Sequence, residues 1–157
     1  MSDHREFLNR AIQLSKENID QTSGGPFGAV VVRQGIVISE GCNRVTSSND
    51  PTAHAEVNAI RSACEKLKTF DLSDCEIYSS CEPCPMCLSA IYWARISKVY
   101  YANTKEDAAT INFDDQFIYE ELAKEKKDRT LKMTRLESDS AKNVFLAWQK
   151  KTDKIPY

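Results

Sequence analysis

Two short segments constrain this chain more than anything else in its 157 residues: His54-Ala55-Glu56 and Pro83-Cys84-Pro85-Met86-Cys87. Cys84 and Cys87, with two residues between them, can chelate one ion, and zinc takes thiolates and imidazoles in a tetrahedral array. His54 lies 30 residues before Cys84 and can supply a third ligand. The fourth position is then left to water, the feature that separates catalytic from closed structural zinc sites. Both segments fall where helices are predicted to begin, and the backbone N–H groups and positive dipole end there favour the thiolate form of cysteine. Pro85 suits a first helical turn, where its missing N–H loses no hydrogen bond. Residues two apart in a regular helix point in different directions, so His54 and Glu56 can address one ion only if it lies off the helix's first turn. A carboxylate so placed can take a proton from a water and return it to a leaving group.

Composition narrows the reading. Cysteine is the outlier, with Cys42, Cys64, Cys75, Cys81, Cys84 and Cys87. The first ten residues are polar and charged, without the apolar stretch of a secretory signal. No run approaches the roughly 18 apolar residues of a membrane span. The expected setting is therefore cytoplasmic and reducing, where close cysteine spacing reads as metal or catalysis before disulfide. Cys42, Cys64 and Cys75 read as small buried hydrophobes. The formal charge of −2 argues against a general nucleic-acid or membrane-surface binder, since phosphate affinity comes from clustered Lys and Arg.

Periodicity predicts a helix over 6–19, then a hairpin of strands 27–32 and 36–39 joined by Arg33-Gln34-Gly35. The run Ala29–Val32 does not alternate, as expected of a strand buried on both faces. A polar loop follows at 46–52, with Thr52 placed to cap a helix over 53–67 whose stripe is Val57, Ile60, Cys64 and Leu67. A strand at 76–79, a helix at 84–94 and a strand at 98–102 come next. Residues 114–124 read as helix, Leu131–Leu136 as strand and 141–150 as helix. Alternating strands and helices predict one α/β domain spanning 1–157, a three-layer α/β/α sandwich around a mixed five-stranded sheet.

Taken singly, these residues have plainer explanations. A lone C-x-x-C also serves structural zinc or redox chemistry, and a lone glutamate is commonly a solvated helix charge. The combination H-x-E, then P-C-x-x-C, is the signature of zinc nucleobase deaminases. The chain resembles the cytidine deaminase-like superfamily over nearly its whole length, and within it the small zinc-type bacterial guanine deaminases. The narrower likeness is carried by Gly25–Val30, Asn49–Glu56, Ser80–Cys87, Ile91–Arg95, Phe113–Tyr119 and the terminal Tyr157.

That resemblance implies one Zn2+ per subunit held by His54, Cys84 and Cys87, with Glu56 as proton carrier. It implies that Phe27 stacks on a purine base, that Asn43 and the Ala55 backbone N–H bind it, and that Asp115 recognises its edge. Tyr157 would close the site, with a C-terminal segment of about 138–157 packing on the partner subunit of a homodimer. The reaction expected is hydrolytic deamination of guanine to xanthine and ammonia.

Three alternatives bear on this reading. A tRNA adenosine deaminase shares the motifs. Residues 1–120 hold 11 basic and 17 acidic groups while 121–157 hold 10 and 6, and that basic end is the one compositional feature favouring RNA. Its interleaved Glu121, Glu125 and Asp128 read instead as a solvated face, and nucleic acid is not the expected partner. Guanosine, cytosine or an aminotriazine would change only the substrate. A non-catalytic zinc module would need a fourth ligand, for which Cys81 is the nearest candidate.

Overall fold

The unbroken apolar run Ala29–Val32 forms the interior of the sheet. In the computed structural model, which describes residues 4–157, strand β1 (Gly28–Arg33) lies between β2 (Ile36–Cys42) and β3 (Cys75–Cys81) and is antiparallel to both. Strand β4 (Lys98–Asn103) pairs parallel with β3, giving the order β2-β1-β3-β4. The sheet is mixed, as expected, but has four strands rather than five. The missing one is Leu131–Leu136, which joins no ladder. Its alternation fails partway: Leu131 and Met133 share a parity that Arg135 continues, while Leu136 falls on the other side. No single face is apolar, and Leu131, Met133 and Leu136 are all exposed.

Chain contacts separate a unit ending at Tyr119 from one spanning Glu120–Tyr157. In the first, alternate residues of β1 serve opposite faces of the sheet, as the pleat requires. Val30 and Val32, with Tyr78 of β3, pack under Phe7 and Leu14 of helix α1 (His4–Asp20). Ala29, Val31 and Ile77 pack with Ala55, Ala59 and Ala63 of α3 (Ala55–Leu67) and Ile91 of α4 (Pro85–Trp93). Helices thus cover both faces.

Helix α3 differs from its expected form in two ways. Its fully buried apolar face is the alanine row, while Val57, Ile60, Cys64 and Leu67 sit at the margin, half-buried. The helix also starts at Ala55, because His54 occupies the N-cap position and Thr52 is engaged by the Asp50 carboxylate. Small residues on α3 let it approach β2 closely: a Cβ on Gly41 would fall within 2.6 Å of Ala59 N and nearer still to Ala55 O. A short helix α2 (Val45–Ser48) breaks the predicted 46–52 loop. Helix α5 (Lys105–Thr110) went unpredicted; its signal is the reciprocal cap between Thr104 and Asp107. Helix α6 spans Asp115–Ala123.

In the second unit the buried Glu121 carboxylate accepts from Lys124 Nζ and Thr130 N. Helix α7 (Asp139–Lys150) is capped by Ser138, whose hydroxyl accepts from Ala141 N. Its apolar residues Val144, Phe145, Leu146 and Trp148 are all exposed. No helix among the described residues is long and apolar enough to cross a membrane.

Candidate active site

Strand direction assembles the site. Since β2 and β3 are both antiparallel to β1, their carboxyl ends and the start of β1 lie at one end of the sheet. Asn43 after β2, Phe27 before β1 and the Glu82–Cys84 turn after β3 meet there, together with the N-termini of α3 and α4. Ligands of α/β sheets commonly sit beyond the carboxyl ends of strands in this way.

His54 is the N-cap of α3, and Cys84 the N-cap of α4, with Pro85 opening that helix and Cys87 in its first turn. Both cap residues have extended backbones, so their side chains turn off the helix ends toward each other. His54 Nδ1 lies 3.5 Å from Cys84 Sγ and 3.4 Å from Cys87 Sγ, and all three donor atoms fall within 4.8 Å of one another. Tetrahedral zinc with bonds of about 2.3 Å to sulfur and 2.0–2.1 Å to nitrogen separates those donors by about 3.6 Å. The donor set therefore fits zinc in both chemistry and spacing. Hydrogen bonding with Cys87 and then with His54 draws the Cys84 thiol far below its ordinary value, against the effect of burial. Cys87 moves the opposite way, raised by its bond to Cys84 and then by burial. One thiolate is thus already favoured within the set.

Cys81 is not a fourth donor: its thiol meets the Thr104 carbonyl oxygen at 3.6 Å, and burial raises it to about 12. Among the described residues, the only cluster with metal-ligand geometry is His54, Cys84 and Cys87. Three protein donors leave a coordination position open, which a closed structural site would not.

Glu56 follows in the first turn of α3 and is buried. Ser79 Oγ on β3 donates to Glu56 Oε1 at 2.9 Å. Burial pushes the carboxyl above its ordinary value, opposed by the bonds from Ser79 and Cys87. The geometric condition on His54 and Glu56 is met because His54 stands outside the helix proper.

A cavity of about 500 Å³ opens over these groups, within the range typical of small-molecule sites. Phe27, Asn43, His54, Glu56, Cys84 and Asp115 all line it. Phe27 meets Phe113 edge to face with centroids 4.8 Å apart, and it lines the cavity while also packing against the core. At the start of α6 it is Asp114 whose Oδ1 accepts from Phe117 N. Burial and then the nearby Cys84 raise the Asp115 carboxyl above its ordinary value. Ala55 is the first residue of α3, where backbone N–H groups lack intrahelical partners. Tyr157 lies in the other unit and is exposed. Sequence reasoning assigned no site role to Ser79, on a buried strand, or to Ile19 and Phe113, which line the cavity.

A carboxyl beside three zinc-type donors, under a cavity sized for a heterocycle, defines a zinc-dependent deaminase. The chain belongs to the cytidine and deoxycytidylate deaminase family, whose zinc-binding region matches residues 1–103. It is 51% identical to the guanine deaminase of Bacillus subtilis over 154 residues, covering 98% of this chain and 99% of that one. The crystal structure of guanine deaminase from B. subtilis superposes with a TM-score of 0.95 at 50% identity, covering 99% of each chain. A tRNA-specific adenosine deaminase of Aquifex aeolicus is 42% identical over 96 residues, 61% of this chain and 63% of that protein.

Proposed function

We propose that this chain is a guanine deaminase, converting guanine and water to xanthine and ammonia. The observation that carries the reading is the buried Glu56 carboxyl, held by Ser79 beside His54, Cys84 and Cys87 at one cavity. The B. subtilis relative, similar from end to end, supplies the substrate class. His54, Cys84 and Cys87 would hold one zinc ion per subunit. Zinc, when bound, supplies a water acidic enough to attack near neutral pH. Glu56 would take the first proton of that water and deliver it to a ring nitrogen, then take the second, left on the new hydroxyl of the amino-bearing carbon, and pass it to the amine that leaves as ammonia. Its raised proton affinity suits a group that must hold a proton between those transfers. Phe27 stacks on the base, Asn43 and the Ala55 N–H bind it, and Asp115 reads the purine edge.

The proposed assembly is a homodimer of single-domain subunits in which residues 138–157 pack on the partner and Tyr157 closes its site. The exposed apolar residues of α7 support this, as contiguous exposed apolar patches mark interaction surfaces. Six free cysteines fit a reducing cytoplasm. The test is ammonia release by zinc-loaded protein from guanine, guanosine, adenine, cytosine, cytidine, ammeline and tRNA. Guanine is expected to turn over fastest. Inosine formation in tRNA without guanine turnover would replace this reading with the RNA one.

A further inference from the structure

The buried stripe of α1 runs Phe7, Ala11, Leu14 and then Asn18, a polar residue where the spacing calls for an apolar one. Asn18 is only 1% exposed. Its Nδ2 donates to Gly25 O at 2.8 Å and to Asn43 O at 2.9 Å. Its Oδ1 is buried and meets no hydrogen-bond donor among the described residues. Flipping the amide would set that oxygen against the two carbonyls, so its orientation is dictated by those two acceptors.

The two carbonyls Asn18 holds belong to the segments that build one wall of the cavity. Asn43 Oδ1 accepts from Gly25 N and from Val45 N, each at 3.2 Å. Both N–H groups sit in the backbone that Asn18 ties together. With Oδ1 committed to them, Asn43 has only its Nδ2 donors to offer the cavity it lines. Gly24 makes the approach possible, since a Cβ there would come within 2.8 Å of the Asn43 carbonyl carbon and closer to its oxygen.

We propose that Asn18 is a positioning residue that fixes the amide of Asn43 with its donors toward the substrate, so that this wall selects a base presenting a hydrogen-bond acceptor. The inference rests on the guanine deaminase reading and adds a residue that touches no substrate. Without Asn18 the Gly25 and Asn43 carbonyls lose their common donor, Gly25 N and Val45 N no longer converge on Oδ1, and the amide is free to turn.

The test is steady-state kinetics of guanine deamination by the zinc-loaded full chain, as wild type and as N18L, N18S and N43D. N18L removes both donors at similar volume, and its KM is expected to rise about tenfold, the loss of roughly one well-formed hydrogen bond. Its kcat at saturation should stay within about threefold. N18S keeps one donor and should fall between, covering the case in which N18L does not fold. N43D preserves the acceptor for Gly25 and Val45 while deleting the donors, and should raise KM at least as far. A merely structural Asn18 would lower the melting temperature and the active fraction, hence apparent kcat, with KM unchanged. KM within about twofold of wild type in N18S, or in N43D, overturns the inference. A wild type inactive on guanine instead overturns the reading beneath it.

Discussion

At the scale of single residues, the proton-carrying role proposed for Glu56 is the most directly testable. Replacing it with glutamine keeps its size and its capacity to accept from Ser79 Oγ, while removing the ability to carry a proton. E56Q is expected to retain zinc, measured by atomic emission, and to lose about 10²- to 10⁴-fold or more in kcat. A zinc-replete, fully active E56Q would remove Glu56 from the chemistry. The residues with metal-ligand spacing were the most legible part of the sequence, because chelation fixes residue type and separation together. Ser79 and Asn18 were not legible. Each is a polar residue within an apolar pattern, and only the fold shows that Ser79 faces the Glu56 carboxyl and Asn18 two loop carbonyls.

At the scale of elements, the seam between β2 and α3 sets the position of Glu56. A methyl on Gly41 has no space against Ala55 and Ala59, so G41A should destabilise the fold by about 1–3 kcal/mol through overpacking. Denaturant midpoints measure this directly, and a stability equal to wild type would show that α3 can retreat freely. Helix α1 is tied to β2 by Arg10, whose Nε and Nη2 donate to the two oxygens of Glu40 at 2.7 and 2.8 Å. That pairing holds the Glu40 carboxyl below its ordinary value. A depressed carboxyl contributes stability that is full above its unfolded value, about 4.3, and is lost as the pH falls through the lower folded one. R10Q should therefore be less stable than wild type at pH 7 by up to about 1 kcal/mol, since the pair is partly exposed. The gap should close in acid below pH 4, as read from thermal melts. A gap constant with pH would assign Arg10 a packing role only. Helix existence was readable throughout this region, whereas helix starts were not. At α3 the competing use of Thr52 by Asp50 moved the cap to His54, a contest between neighbours that periodicity does not register.

At the scale of the whole molecule, the expected α/β plan and mixed sheet hold, and the strand count falls by one. The failed strand at Leu131–Leu136 and the apolar residues of α7 lie in the unit after Tyr119, and they are exposed there. Apolar spacing reports that a face will be buried, and it cannot say on which molecule. Deleting residues 138–157 is expected to convert a dimer to a monomer by light scattering and to raise KM for guanine. An unchanged dimer with unchanged kinetics would place the subunit contact elsewhere and remove Tyr157 from the site.

The glycine–alanine seam under Glu56 also bears on how such a protein can diversify. His54, Glu56, Cys84 and Cys87 stand at two helix ends, and α3 is pressed against a strand with no room for a side chain at Gly41. The rest of the lining includes Ile19, Thr22, Phe113 and Asp115, which lie on helices and loops outside the sheet, where side chains can change volume without moving it. Substitutions there can alter what the cavity admits while leaving those four residues in place. One H-A-E and P-C-x-x-C centre can then stand under walls that admit different substrates.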